Sequence, residues 1–387
     1  LLTIQELHEL HLARYNSAPI IFRAPGRVNL VGEHTDYADG FCMPAALNLS
    51  TLVAASETET GQLDIYSAEL KDGVTRQLNQ LGDTGSGHWS DYVTGVVREL
   101  QKADVNLNGI SLTITGDVPI ASGLSSSASL EVATAGAILK LADATMTRPH
   151  IALLAQRAEN QYVGAPCGIM DQFISANGVA GHALVLDCRS LQSTPSPIPS
   201  SVRLVICNSM VKHSVAGNEY AERRAQVAEA TRVMANRKSD VHALRDVTLA
   251  ELAAAQHEMD TLAYLRARHV ISDSERVLQL ATALRNNDLA SAGSIMTAAH
   301  KSYRDDFGAS CSECDLLVEL ACRLPGCYGS RLTGGGFGGC TVSLVDAAAS
   351  ATFASTLQSQ YLAKTGITAQ VFVCEVAAGL HEERLPS

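Results

Sequence analysis

Pro119-Ile-Ala-Ser-Gly-Leu-Ser-Ser-Ser-Ala-Ser129 decides how this chain reads. The apolar run Ile110–Thr115 before it predicts a strand, its proline and glycine predict a turn, and its serines open a helix reaching about Leu141. Backbone N–H groups at a helix N-terminus have no partners within the helix. They point outward with the positive end of the helix dipole, and serine hydroxyls add donors or a cation ligand, so the turn suits phosphate. Taken alone, the stretch also fits an ordinary serine-capped helix after a glycine turn.

Three other stretches favour the phosphate reading. Arg23-Ala-Pro-Gly-Arg-Val-Asn-Leu-Val-Gly-Glu-His-Thr-Asp-Tyr-Ala-Asp-Gly40 gathers Arg27, Glu33, His34, Asp36 and Asp39 between glycine turns. Carboxylates accept pairs of hydroxyl hydrogen bonds and a neutral imidazole both donates and accepts, so this cluster suits a polyol, although a hydrated polar loop has the same letters. The segment from Glu159 through Gly164-Ala-Pro-Cys-Gly-Ile-Met-Asp171-Gln172 places two carboxylates at the ends of a turn. The last stretch is Leu332-Thr-Gly-Gly-Gly-Phe-Gly-Gly-Cys340. Its glycines satisfy the dinucleotide spacing G-x-G-x-x-G, but they precede the predicted strand Cys340–Val345 instead of opening a helix. No Gly-Lys pair exists for a Walker A loop, and no His-Arg-Asp triplet for a protein kinase.

Composition narrows the class. At 387 residues, two domains are expected on a soft prior of about 150 residues each. The 46% hydrophobic and 18% charged content is that of a globular chain with material for a large core. A net charge of −11 argues against a nucleic-acid or membrane-surface binder, and means that an anionic ligand must meet local donors. The first ten residues carry charges and lack a signal-peptide pattern, and no 18-residue apolar run reads as a membrane span, so a cytoplasmic location is expected. Ten irregularly spaced cysteines read as reduced thiols. A zinc site at Cys311-x-x-Cys314 with Cys322 and Cys327 is disfavoured because those positions fall in a helical pattern.

Along the chain, Ser50–Ser56 and Gln62–Ser67 predict a hairpin, and His88–Lys102, with Trp89, Tyr92, Val93, Val96 and Val97 at helical spacing, predicts an amphipathic helix. A second helix is predicted from Thr147 to Tyr162. The Pro/Ser-rich segment Ser190–Ser200 reads as a linker, and residues 219–300 are nearly all helical pattern. Strands and helices cluster without regular alternation, which indicates an α+β fold.

The four stretches, in this order, resemble the GHMP kinases, the family that holds the galactokinases with the homoserine, mevalonate and phosphomevalonate kinases. Gly26-Arg-Val-Asn-Leu-Val-Gly-Glu-His-Thr-Asp-Tyr37 is similar to the sugar motif of the galactokinase branch. The resemblance spans Arg23 to about Asp346. It implies an α+β, two-domain GHMP-kinase-like architecture with the active site in the interdomain cleft. Residues 1–190 would carry the sugar motif, phosphate loop and catalytic aspartate, and residues 191–387 the late glycine loop. The implied activity is ATP- and Mg²⁺-dependent phosphorylation of the anomeric hydroxyl of galactose, by a monomer that binds neither nucleic acid nor membrane. The rivals are an N-acetylgalactosamine kinase and a non-catalytic galactose- and ATP-binding regulator.

Site residues follow from the same resemblance. Asp171 would take or orient the proton of the C1 hydroxyl, with Arg27 as the partner that keeps it ionised. Asp36 would hold O3 and O4, Glu33 and His34 O6, the Gly168 backbone a ring hydroxyl, and Tyr220 also O4, with Thr35 in the same motif. Backbone N–H groups from Ala121, Ser122, Gly123, Leu124, Ser125, Ser126 and Ser127 would cradle the triphosphate, with Ala121-Ser122 standing where this family commonly has a glycine. Ser127 and Glu159 would ligate Mg²⁺, Gly335 and Gly336 would close over phosphates or substrate, and Ser67 and Trp89 lie where the family contacts adenine. Read without the family, Glu159 is a solvated helix face, Asp171 a turn acid and Trp89 helix core.

Overall fold

The structure, a computed structural model, describes residues 1–212 and 216–385. The first half runs α1 (Ile4–Tyr15), β1 (Ile20–Asn29), β2 (Phe41–Cys42), β3 (Pro44–Glu57), β4 (Gln62–Ser67), β5 (Asp72–Gln77), α2 (Asp91–Lys102), β6 (Ile110–Gly116), α3 (Ser126–Leu141), α4 (Arg148–Arg157) and α5 (Met170–Asn177). The chain continues through β7 (His182–Asp187), β8 (Gln192–Pro197), β9 (Val202–Lys212), α6 (Ala216–Arg237), α7 (Leu249–Ala254), α8 (Thr261–Arg285), α9 (Leu289–Ser302) and α10 (Ser312–Arg323). It closes with β10 (Cys327–Thr333), β11 (Gly338–Asp346), α11 (Ser350–Thr365), β12 (Gln370–Cys374) and β13 (His381–Glu383).

Three sheets result, with strand orders β13-β1-β3-β6-β4-β5, β10-β11-β9-β12 and β2-β7-β8. The expected hairpin between Ser50–Ser56 and Gln62–Ser67 does not form. β6 lies between those strands, antiparallel to β3 and parallel to β4. Residues Ile110 to Thr115 are buried without alternation, so they take the centre of the sheet, and the connecting turn bonds to the residues before β6: Thr58 N–H donates to Gly109 (2.9 Å) and Gly61 N–H to Asn108 (2.7 Å). The hairpin partner of β4 is β5, from Ser67↔Asp72 to Gln62↔Gln77.

The presumed linker is also structured. Gln192–Pro197 is β8, paired with β7 from Asp187↔Gln192 to His182↔Pro197. Its prolines remove donors, and an edge strand is the place in a sheet where that loss costs least. Helix α2 begins at Asp91, later than expected, because the Asp91 carboxylate accepts the backbone N–H groups of Ser86 (2.6 Å), Gly87 (2.7 Å) and His88 (3.0 Å) and folds 86–90 into a capping loop. Trp89 therefore precedes the helix. The helix predicted to run on to Tyr162 breaks after Arg157 and widens into a π-helical turn, Ala158–Val163.

One core cluster lies between the six-stranded sheet and α2–α5, where Val53, Leu112, Val132 and Phe173 meet; a side chain such as Phe173 contributes roughly 1.5–3 kcal/mol when fully buried. A second joins Val28, Leu30 and Met43 to Val277, Leu280 and Val342, so the end of β1 is packed against the helices and sheet of the second half. This seam fixes the loop that follows β1 in the cleft.

Candidate active site

Arg27 reaches the cleft from β1 and Asp171 from the first turn of α5. Arg27 Nε donates to Asp171 Oδ1 (2.8 Å) and Nη2 to Oδ2 (2.7 Å), a two-point ion pair whose geometry resists rotation. The phosphate loop is bolted to this pair. Arg27 Nη1 donates to the Gly123 carbonyl, the Arg27 backbone N–H to the Leu124 carbonyl (3.0 Å), and the Ser125 hydroxyl to Asp171 Oδ2.

These two residues form one wall of a cavity of about 190 Å³ that Glu33, His34, Asp36, Gly168, Tyr220 and Gly335 also line. Asp36 sits at its floor, accepting N–H groups from Tyr37 (3.0 Å) and Met170 (3.5 Å). Burial, and then the Asp171 charge, push its carboxyl up to about 6. Burial drives His34 down to about 3, so its ring is neutral, held between the hydroxyls of Tyr37 (3.1 Å) and Tyr303 (3.0 Å) and stacked on Phe307 at 4.2 Å. Glu33 is raised by burial, against the pull of Arg331, Arg27 and the Gly334 N–H, which donates to Oε1 at 2.7 Å. The cavity is thus walled by oxygen acceptors and neutral hydroxyls.

A second cavity, about 300 Å³, opens on the other side of the phosphate loop, where Ser67, Trp89, Ala121, Ser126 and Ser127 meet Tyr92 and Ile120. The Trp89 indole N–H is tied to Asp72 Oδ2 (2.8 Å), which leaves the ring face to the cavity. Ala121 (φ 54°) and Ser125 (φ 62°) both take the left-handed conformation that side chains disfavour, so the loop stores strain at the junction of the two cavities.

Beneath Ser127 lies a carboxylate cluster. Glu159, in the π-helical turn, faces the Ser127 hydroxyl, and burial and Asp171 raise it to about 7. Gln172 Nε2 donates to Glu159 Oε2 (2.6 Å) and to Glu131 Oε2 (3.2 Å). Glu131 is fully buried, pushed well up by desolvation and by Glu159, and its Oε1 has no hydrogen-bond partner among the described residues. Crowded hard oxygens with an unfilled acceptor are the donor set a divalent cation such as Mg²⁺ favours. Glu131 and Gln172 were not expected at the site. The available signal was spacing: Glu131 is one helical turn beyond Ser127 on the same face, and Gln172 follows Asp171.

Other expected residues lie elsewhere. The Thr35 hydroxyl turns from the cavity to the carbonyls of Gly32 (2.9 Å) and Phe41 (2.7 Å), locking the loop. Ser122 is buried on the Pro119 carbonyl (2.7 Å), and Gly123 and Leu124 offer their carbonyls to Arg27. Gly336 packs on Ala309, where a Cβ would come within 2.4 Å of the carbonyl. The late glycine loop rests on the phosphate loop backbone to backbone: a Cβ on Gly334 or Gly339 would meet the Gly123 or Ser122 carbonyl at 2.9 or 2.8 Å. Asp306-Phe307-Gly308 spells Asp-Phe-Gly, another protein-kinase triplet, but Phe307 is buried against His34, Asp306 pairs with Arg268, and none of the three lines either cavity.

Comparison with known proteins bears on this geometry directly. The galactokinase galactose-binding signature matches residues 9–57, and the N- and C-terminal domains of GHMP kinases match 91–179 and 280–363. The galactokinase of Chloroflexus aggregans is 46% identical over 360 residues, 93% of this chain and 92% of that protein. The chain belongs to the galactokinase family. The galactokinase of Haemophilus influenzae strain Rd is 41% identical over 383 residues, 97% of this chain and 98% of that one. The crystal structure of Lactococcus lactis galactokinase complexed with galactose superposes with a TM-score of 0.93 at 31% identity, covering 98% of this chain and 99% of that one. Methanococcus jannaschii mevalonate kinase, at 18% identity and a TM-score of 0.66, shares the fold. The α+β, two-domain GHMP-kinase architecture is therefore that of a galactokinase-family enzyme, a transferase, and the galactose-binding signature covers β1 and the Glu33–Asp36 loop that walls the smaller cavity. Among the described residues no helix is long and apolar enough to cross a membrane.

Proposed function

We propose that the smaller cavity holds α-D-galactose, that the larger holds the adenosine end of ATP, and that the enzyme transfers the γ-phosphoryl group to the anomeric oxygen to give galactose 1-phosphate. One observation carries this reading. The phosphate loop faces both cavities, with Ser126 and Ser127 lining the larger while Ser125 touches Asp171 in the smaller. A phosphoryl group leaving ATP along this loop arrives at the Arg27–Asp171 pair.

Asp36 and Tyr220 receive O4 and, for Asp36, O3; Glu33 and its neighbour His34 form the O6 end; the Gly168 backbone takes a ring hydroxyl. Axial O4 of galactose meets those acceptors, and the equatorial epimer leaves them unpaired at about 1–3 kcal/mol per group. The C1 oxygen attacks the γ-phosphorus in line, ADP departs, and the hydroxyl proton passes to the Asp171 carboxylate. Arg27 balances charge at that oxygen and fixes the carboxylate plane. Ser127 and Glu159 would hold Mg²⁺, which when bound neutralises charge on the β- and γ-phosphates.

The test is ADP release with galactose, 2-deoxygalactose, N-acetylgalactosamine, glucose and arabinose in the wild type and in Asp171→Asn. Galactose should exceed glucose by at least ~10²-fold in kcat/KM. Asp171→Asn should lose ~10²–10⁴-fold in kcat with galactose still bound. Turnover of glucose comparable to galactose, or full transfer by Asp171→Asn, would overturn the assignment.

A further inference from the structure

Arg331, on β10, is the largest side chain among the described residues with no exposed surface. None of its three guanidinium nitrogens has a hydrogen-bond partner among the described residues. Its charge lies 5.9 Å from the centre of the Tyr303 ring, and Nη1 is 3.9 Å from Glu33 Oε1. A buried cation without hydrogen bonds is costly, and an apolar side chain of similar length would fill the space without that cost. Packing alone therefore does not account for an arginine here.

Two buried carboxyl groups lie in its field, and they differ in how far they depend on it. Asp273, on α8, accepts the backbone N–H groups of Gly32 (2.8 Å) and Glu33 (3.0 Å) and pairs with Arg276 at 3.2 Å, so it is satisfied by others. Glu33 receives the Gly334 N–H, and the charges that oppose its burial are Arg331 first and Arg27 second. The remaining titratable groups facing this pocket do not supply a cation. His34 beside Glu33 and His269 on α8 are held neutral by burial, Tyr303 follows α9, Cys42 sits on β2, and burial raises both of these last two.

We propose that Arg331 is a positioning residue for sugar recognition: without touching the sugar, its buried guanidinium keeps Glu33 in the carboxylate form that accepts a substrate hydroxyl. The inference rests on the reading of Glu33 as part of the galactose site. It also links β10 to the loop that follows it, since the strand carries Arg331 beside Glu33 and the first residue after the strand, Gly334, donates its N–H to the same carboxylate.

The experiment is a double-variant cycle read by calorimetric galactose binding, galactose and ATP KM, and thermal melting. Glu33→Gln should weaken galactose by about 10-fold or more, as should Arg331→Met, with ATP KM unchanged. In the Glu33→Gln background, Arg331→Met should add less than about 2-fold, because its target is already neutral. Arg331→Lys should recover most of the binding. Arg331→Met should also move the pH at which galactose binding is half lost upward, a change that a purely structural arginine would not produce. Equal losses from Arg331→Met in both backgrounds would overturn the proposal while leaving the site assignment standing. Unchanged galactose affinity in Glu33→Gln would remove Glu33 from the sugar site and the proposal with it. If Arg331→Met does not fold, the double variant should fold, since the unpaired buried carboxylate is gone; a double variant that also fails to fold makes the arginine structural and ends the proposal.

Discussion

Gly168 has no side chain because the Asp36 carboxylate occupies that space: a Cβ at 168 would lie 1.7 Å from Asp36 Oδ2. The loop before α5 and the loop after β1 thus interlock at the floor of the smaller cavity. Gly168→Ala must displace Asp36, which Tyr37 and Met170 hold by backbone N–H groups. Galactose kcat/KM should fall by at least ~10-fold, the cost of misplacing one polar partner, with ATP binding unchanged. Separate calorimetric titrations with the sugar and with the nucleotide check this, and equal weakening of both would show a general collapse.

Asp36 also sets a pH dependence. Its carboxyl is raised to about 6, so the group takes up a proton as pH falls through that value and loses acceptor capacity for two hydroxyls. Galactose affinity should be level above about pH 7 and decline below about pH 6, by at most tenfold per pH unit. Binding measured across that range decides it, and Asp36→Asn should bind weakly with no such inflection.

Ser125 shares Asp171 Oδ2 with Arg27. If its hydroxyl keeps the carboxylate oriented, Ser125→Ala should cost about 1 kcal/mol of transition-state stabilisation, or roughly 5-fold in kcat, with galactose KM little changed. Single-turnover rates separate this from an effect on product release.

The Glu159–Gln172–Glu131 cluster makes a metal prediction. Gln172 holds both glutamates through one amide, so Gln172→Met should raise the Mg²⁺ concentration for half-maximal rate by ~10–100-fold, and Glu159→Gln by at least as much. Galactose affinity measured without nucleotide should not move. A magnesium titration unaffected by Glu159→Gln would remove that residue from the site.

Three histidines give the fold an acid limit. Burial depresses His11, between Thr113 and Ser56, and His269 to about 4, and His34 to about 3, against 6.5 in an unfolded chain. Below 6.5 only the unfolded chain takes up these protons, so the stability they contribute is complete above that pH and is lost as pH falls toward the folded values. His11→Gln should flatten this slope by on the order of 3 kcal/mol between those limits. Urea denaturation at several pH values measures it.

Local chemistry made much of this molecule legible. The strand into the serine helix and the strand after the late glycine loop formed as read, because each has its own turn residues and periodicity. Long-range competition was not legible: nothing in Gln62–Ser67 says that Ile110–Gly116 will claim its neighbour in the sheet, and the prolines of 190–200 do not announce an edge strand. The same division holds at the site. Residues in short motifs, such as Arg27, Asp36 and Asp171, line one cavity. Arg331, Glu131 and Gln172 matter through partners between 13 and about 300 positions away in sequence, and Thr35 has the letters of a sugar ligand but serves the turn.

β13 is only three residues long, yet it covers the outer edge of β1, with His381, Glu382 and Glu383 paired to Arg23, Phe22 and Ile21 and the Glu383 carboxylate on Arg23. The strand that carries Arg27 is therefore bordered by a segment some 360 positions later. During synthesis that border stays bare until some 360 further residues have emerged, leaving a strand with open N–H and C=O groups in a nascent chain. Completion of the sheet is a late event with a high loop-closure cost. The start of the strand that leads to Arg27 is thus bordered by a closure that the first half of the chain cannot make for itself.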